Sequence, residues 1–126
     1  GMARRWAAAA AQKGAAAYGY FFDHPLPGDR RGAWHACDLW YLFGGMEHSW
    51  RPFAPEDQAL SRQIIDRIAQ FAKTGDPNLP GLPDWPALTA SRHDFLRLDT
   101  AGPALAGPAR CRATALQSAL FRRGPL

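Results

Sequence analysis

Apolar and polar positions repeat with helical spacing most clearly after Pro55. Leu60, Ile64, Ile68 and Phe71, supported by Ile65 and Ala72, recur at intervals of three or four residues. Such a stripe predicts a helix that lays one face on a core. Pro55 suits a first helical turn, and Glu56 and Asp57 suit the positive end of the helix dipole. Lys73 and Gly75 mark its end, and Asp76-Pro77 cannot continue it. Residues 3 to 17 are alanine-rich, with Gln12 and Lys13 on the expected wet side. They predict another helix by propensity, weakened at Gly14. Residues 17 to 23, Ala17-Tyr18-Gly19-Tyr20-Phe21-Phe22-Asp23, are apolar at successive positions, as in a strand covered on both faces.

His24-Pro25-Leu26-Pro27-Gly28-Asp29 interrupts the pattern as a loop. A short, densely apolar helix is expected from Ala36 to Phe43, stopped by Gly44-Gly45. Ser49-Trp50-Arg51-Pro52-Phe53 reads as a loop whose aromatics are pinned to the core, and Trp85 as an anchor in the proline-rich connector Pro80–Pro86. A strand is expected over His93–Asp99, a short partner strand over Gly102–Pro108, and a last helix over Cys111–Phe121. No internal repeat is visible. The pattern predicts one modest domain, helix-rich with a small sheet of two to three strands.

Composition narrows the class. An apolar content of 47% with five Trp is that of a globular chain. No apolar run approaches the ~18 residues that span a bilayer. Met2-Ala3-Arg4-Arg5-Trp6 and the following alanines read as a helix, not a leader, because Gln12 and Lys13 break the would-be apolar region. No membrane partner is expected, and a cytoplasmic location is favoured. The net charge of +4 rests mainly on arginine, in pairs at Arg4-Arg5, Arg30-Arg31 and Arg122-Arg123. They are scattered, with no nucleic-acid-binding motif beside them, so no nucleic-acid partner is expected. Cys37 and Cys111 sit in apolar contexts and read as buried free thiols.

The stretch Gly32-Ala33-Trp34-His35-Ala36-Cys37-Asp38-Leu39-Trp40-Tyr41-Leu42-Phe43-Gly44-Gly45 places one histidine between a loop and a short apolar helix. A titratable ring beside a fixed apolar wall suits acid/base work, and equally suits a structural histidine. With Tyr18-Gly19-Tyr20-Phe21-Phe22 before it, the stretch resembles the histidine segment of type-B carboxylesterases, the cholinesterase-like and para-nitrobenzyl-esterase-like α/β-hydrolases. Gln70-Phe71-Ala72-Lys73-Thr74-Gly75-Asp76-Pro77-Asn78 resembles a signature of the same family, and Trp85-Pro86, Phe95-Leu96-Arg97-Leu98 and Arg110-Cys111 follow in the family's order. The departures are Ala36 for a glycine, Asp38 for a glutamate and Gln70 for an asparagine.

The resemblance implies a single partial domain of α/β class over residues 2–126, the C-terminal portion of an α/β-hydrolase fold, with His35 as the general base of a Ser-His-acid triad. Asp38 is expected to contact the His35 backbone or steady its loop. The family's nucleophile lies in a Gly-x-Ser-x-Gly elbow upstream of its histidine, and none of Ser49, Ser61, Ser91 and Ser118 stands in such a setting. The family's acid and its oxyanion loop also have no counterpart. A serine hydroxyl needs an oriented imidazole, and that imidazole needs a carboxylate, so His35 alone is expected to give no acyl transfer. A carboxylic ester substrate is therefore expected only when the missing upstream part completes the site. No cofactor is expected. A metal site from His35, Cys37 and Asp38 with His48 matches no zinc spacing, so none is expected. His24, His48 and His93 read as surface or loop residues.

An alternative reading is a non-enzymatic, self-associating module built on an esterase remnant. An open strand edge and uncovered aromatics predict a homo-dimer or higher oligomer, with Tyr18, Tyr20, Phe22 and parts of the Trp34–Phe43 segment near the contact.

Overall fold

The computed structural model describes residues 2–89, 91–92 and 94–106. Along them run α1 (Met2–Gln12), β1 (Tyr20–Phe22), α2 (Leu39–Leu42), a 3-10 turn (Met46–His48), α3 (Pro55–Thr74), β2 (Phe95–Leu98) and β3 (Ala104–Ala106). The strands form one sheet in the order β1-β2-β3. The Leu96 N–H donates to Gly19 O at 2.9 Å and the Asp23 N–H to Leu98 O at 3.0 Å. Both strands therefore advance in the same direction, and β1 and β2 are parallel. β2 returns to β3 through a turn closed by the Gly102 N–H on Asp99 O at 3.0 Å, an antiparallel hairpin. The sheet is mixed. The pairing expected between residues 17–23 and the strand near 94–98 is present, with β1 shorter than expected. The helix expected over Cys111–Phe121 lies outside the described residues.

The described residues group into two compact units. The first takes in residues 2–20, the described residues of 85–96, and 105–106. Trp85 is its anchor. It is 6% exposed, its indole N–H donates to Gly19 O at 2.9 Å, and its ring stands edge-on to Tyr18 and Tyr20. Gly19 is required here by space, because a Cβ would lie 2.5 Å from the Phe95 ring. Gly14, with φ 73°, follows the end of α1.

The second unit takes in Phe21–Asp84 and Arg97–Ala104, and α3 is its spine. Asp57 sits in the first turn of α3 and ties three segments together. Its Oδ2 accepts the Ala54 N–H at 2.8 Å, half of a capping box. Its Oδ1 accepts the Tyr41 hydroxyl at 2.7 Å and lies 2.8 Å from His24 Nε2. Tyr41 is fully buried. Burial, then the hydrogen bond to and charge of Asp57, push its phenol far above the usual range, so it stays a donor. One turn on, Ser61 Oγ donates to Tyr41 O at 2.8 Å. Leu60 and Ile64 are buried beside these groups. Gly75, with φ 79°, ends α3 with its N–H on Phe71 O at 2.7 Å.

Several expectations need correction here. Trp50 is 81% exposed and is not pinned to the core, unlike Phe53, whose ring meets Tyr41. β1 is not covered on both faces, since Tyr20 is 39% exposed while Phe22 is buried. Ile68 and Phe71 are 40% and 42% exposed, so the α3 stripe is core only in its first half. On that later stretch the buried residue is Arg67, whose guanidinium donates to Pro83 O. The helix expected from Ala36 to Phe43 is only Leu39–Leu42, because Ala36 takes a left-handed φ of 67°.

Candidate active site

The chain before α2 is built to display His35. Trp34 O accepts the Cys37 N–H at 3.2 Å, closing a turn with His35 and Ala36 at its centre. A positive φ at the third residue is the mark of a type II turn, a place ordinarily held by glycine. Ala36, at φ 67°, is the one non-glycine with a positive φ among the described residues. The turn geometry thus accounts for the glycine of related histidine segments, and Ala36 carries the strain of a methyl group there. The Leu39 N–H then donates to Ala36 O at 3.2 Å and leads the chain into α2.

His35 itself is exposed. Among the described residues it has no hydrogen-bond partner. Cys37, two residues on, is 2% exposed, and burial pushes its thiol up from the ordinary range, so it is a core thiol as expected. Cys111 lies outside the described residues. Asp38 precedes α2, and its carbonyl accepts the N–H groups of Tyr41 at 3.0 Å and Leu42 at 2.9 Å.

Trp34, on the other side of His35, is tied down by its edge. Its indole N–H donates to Asp29 Oδ2 at 2.9 Å. The Trp34 hydrogen bond, aided by Arg31 and Arg51, holds the Asp29 carboxyl below the usual carboxylate range. Arg51 also donates to Pro27 O at 2.8 Å, and its guanidinium stacks 4.9 Å from the centre of the Trp50 ring.

None of the described serines bonds to His35. Ser61 is spent on Tyr41 O, Ser49 Oγ accepts the Arg51 N–H, and Ser91 meets Thr89. Ser118 lies outside the described residues. No group of three His, Cys, Asp or Glu side chains could hold a metal ion among the described residues. An open cleft lined by Gly44, Met46, Arg51, Phe53, Ser61 and Ile65 does not include His35.

Sequence reasoning missed His24. It was expected at the surface or in a loop. It is indeed in a loop, but its side chain is only 15% exposed, held between Asp57 at 2.8 Å and Asp99 at 3.4 Å. Both ring nitrogens are engaged, Nε2 by Asp57 and Nδ1 by Asp99, so it braces the unit. The available signal was Asp57 itself, at the helix position where a carboxylate reaches back to the chain before it. His48 is exposed, as expected, and His93 lies outside the described residues.

A short mixed sheet, a long helix and a histidine displayed on a turn define part of a hydrolase-type α/β fold. The chain superposes on an esterase from anaerobic Clostridium hathewayi with a TM-score of 0.70 and 29% identity, covering 82% of this chain and 20% of that one. That esterase can hydrolyze aliphatic aromatic polyesters. The pattern of the Carboxylesterase family matches residues 2–113, and the chain belongs to that family. It is 37% identical over 97 residues to carboxylesterase 5A of Felis catus, covering 68% of this chain and 18% of that protein. It is 33% identical over 103 residues to acetylcholinesterase of Gallus gallus, covering 78% of this chain and 13% of that protein. The chain thus spans less than a fifth of the length of either relative.

Proposed function

We propose that this chain is the part of a carboxylic ester hydrolase that supplies the general base, His35. The observation that carries this reading is the turn: an exposed imidazole is presented between a tethered Trp34 and the fixed start of α2. In such an enzyme the base takes a proton from a serine hydroxyl and returns it to the leaving alcohol, its tautomer set by a carboxylate. The serine, the acid and the oxyanion donors come from the upstream part of an esterase fold. Asp38, whose carbonyl holds the N–H groups of Tyr41 and Leu42, fixes the start of α2 that follows the His35 turn. Because one triad member alone does not activate a nucleophile, the chain by itself hydrolyses an activated short-chain ester no faster than free imidazole does. The test is that assay, run on the chain with and without an upstream esterase segment and repeated with His35→Ala. Activity of the chain alone that labels a serine and disappears in the variant refutes the reading.

A second reading is favoured by exposed aromatics in the second unit. Trp34, Phe43 and Trp50 are 41%, 80% and 81% exposed, large rings of the kind a protein contact would cover. Without the upstream part, a second copy of the chain covers them, giving a homo-dimer with no catalytic role. Phe22 is not part of that contact, being buried 4.9 Å from the Tyr41 ring. Light scattering at micromolar concentration decides: a monomer sinks this second reading.

A further inference from the structure

The segment that carries His35 is gathered at both ends onto one oxygen atom. His24 opens the segment and Tyr41 closes it, and both reach Asp57 Oδ1. His24 Nε2 lies 2.8 Å from that oxygen and the Tyr41 hydroxyl 2.7 Å. The two rings meet edge-on, with 5.8 Å between their centres. The Ala54 N–H takes the other carboxylate oxygen at 2.8 Å. With a hydroxyl and an amide donating to it, Asp57 is an acceptor at both oxygens, and His24 meets it through an N–H.

This junction is dry and braced from outside. Asp57 is 3% exposed and Tyr41 0%, so water does not replace a lost partner there. On the far side of the His24 ring, Nδ1 lies 3.4 Å from Asp99 Oδ1 and 3.4 Å from Thr100 Oγ1. Beyond Tyr41, Ser61 Oγ holds the Tyr41 carbonyl at 2.8 Å. Ties within the loop, such as Asp29 to Trp34, fix its shape, and Arg51 steadies its middle through Pro27 O. The ends of the loop are set on α3 by the shared oxygen.

We propose that Asp57, acting through His24 and Tyr41, is a positioning residue for His35, a clamp at the neck of the loop that sets where the imidazole is presented. The inference rests on reading His35 as the base of an ester site. The path from clamp to base is short: the Tyr41 N–H donates to Asp38 O at 3.0 Å, and the Leu39 N–H to Ala36 O at 3.2 Å. Placement matters because a displacement of about 1 Å at a reacting group can cost roughly a hundredfold in rate.

The test is NMR of the full chain with the His35 ring and backbone amides assigned, comparing His24→Leu, His24→Gln and Tyr41→Phe. Leucine keeps bulk and removes the donor, whereas glutamine restores an N–H. His24→Leu and Tyr41→Phe are each expected to shift the His35 ring signals. Each should also lower the amide order parameters of residues 33–36 from about 0.85 toward about 0.6. His24→Gln should leave both near the parent, and unchanged amides over residues 64–72 show that each variant is folded. A His35 ring and loop at parent values in His24→Leu and Tyr41→Phe, whatever the loss of stability, overturn the clamp and leave the ester site standing. So does a His24→Gln chain that behaves as His24→Leu. In the chain joined to an upstream esterase segment, His24→Leu should lower kcat about ten- to hundredfold with KM kept. Activity of that joined protein that survives His35→Ala overturns the ester reading, and the catalytic purpose of the clamp with it.

Discussion

Replacing Ala36 with glycine should make the protein more stable. Ala36 sits at φ 67°, where the Cβ of an L-residue costs roughly 1–2 kcal/mol over the right-handed region. Glycine removes that cost but has more freedom to lose on folding, which returns about 0.5–1 kcal/mol. The difference leaves a net gain of about 0–1.5 kcal/mol, and its middle value corresponds to a rise of roughly 2–5 °C in Tm for a chain of this size. Urea unfolding of both proteins measures it, with the slope m unchanged because the same surface is exposed on unfolding. Gly44 offers the reverse experiment. It has φ 64°, and an added Cβ would meet only the Ile65 side chain at an ordinary 3.4 Å. Gly44→Ala should therefore lose about 1 kcal/mol through backbone strain alone. An Ala36→Gly protein that is less stable than the parent would refute the turn geometry given to His35.

Two further outcomes follow from the side-chain ties. Asp57→Ala removes the link to Ala54 N–H and strands the buried Tyr41 hydroxyl, and should cost about 2–4 kcal/mol in urea unfolding. Tyr41→Phe in that background should recover part of the loss, because no buried hydroxyl is then left without a partner. The Asp29–Trp34 tie should depend on acid. The folded-state pKa of Asp29 is lowered, chiefly by the Trp34 hydrogen bond. Its contribution is therefore complete above the ordinary carboxylate pKa and lost as pH falls through the lowered value. The Trp34 indole N–H signal should hold its position at neutral pH and move only in that acid range; movement near neutrality would show that another group controls it.

Much of the fold was legible because local chemistry and packing agree. Pro55, the acids after it and Gly75 mark the ends of α3 within a residue, and Gly14 follows the end of α1. Gly102 similarly sits in the turn that leads to β3. The second half of α3 was misread because a hydrophobic stripe shows which residues share a face, and not what covers that face. The Ala36–Phe43 helix was overextended for a different reason. Alanine is a strong helix former, and nothing in its identity announces a left-handed turn. His35 stood out through resemblance and not through its local setting. His24 was overlooked because its partners, Asp57 and Asp99, lie far along the chain, and only folding brings them to the ring. The Asp29–Trp34 tie spans a short loop but leaves no periodic trace.

The parallel pairing of β1 with β2 has a consequence for how the chain acquires its structure. Gly19 and Leu96, which share a hydrogen bond, lie near opposite ends of the described residues. Their union closes a loop that contains α2, the 3-10 turn and all of α3. Such long-range closure loses chain entropy before its contacts reward it, and it places sheet formation late among folding events. α3 can form from neighbouring residues alone, while Tyr20–Phe22 must wait for Phe95–Leu98 to be synthesised. During translation the first strand therefore leaves the ribosome without its partner, and chaperone dependence should grow with the time taken to make the residues between them.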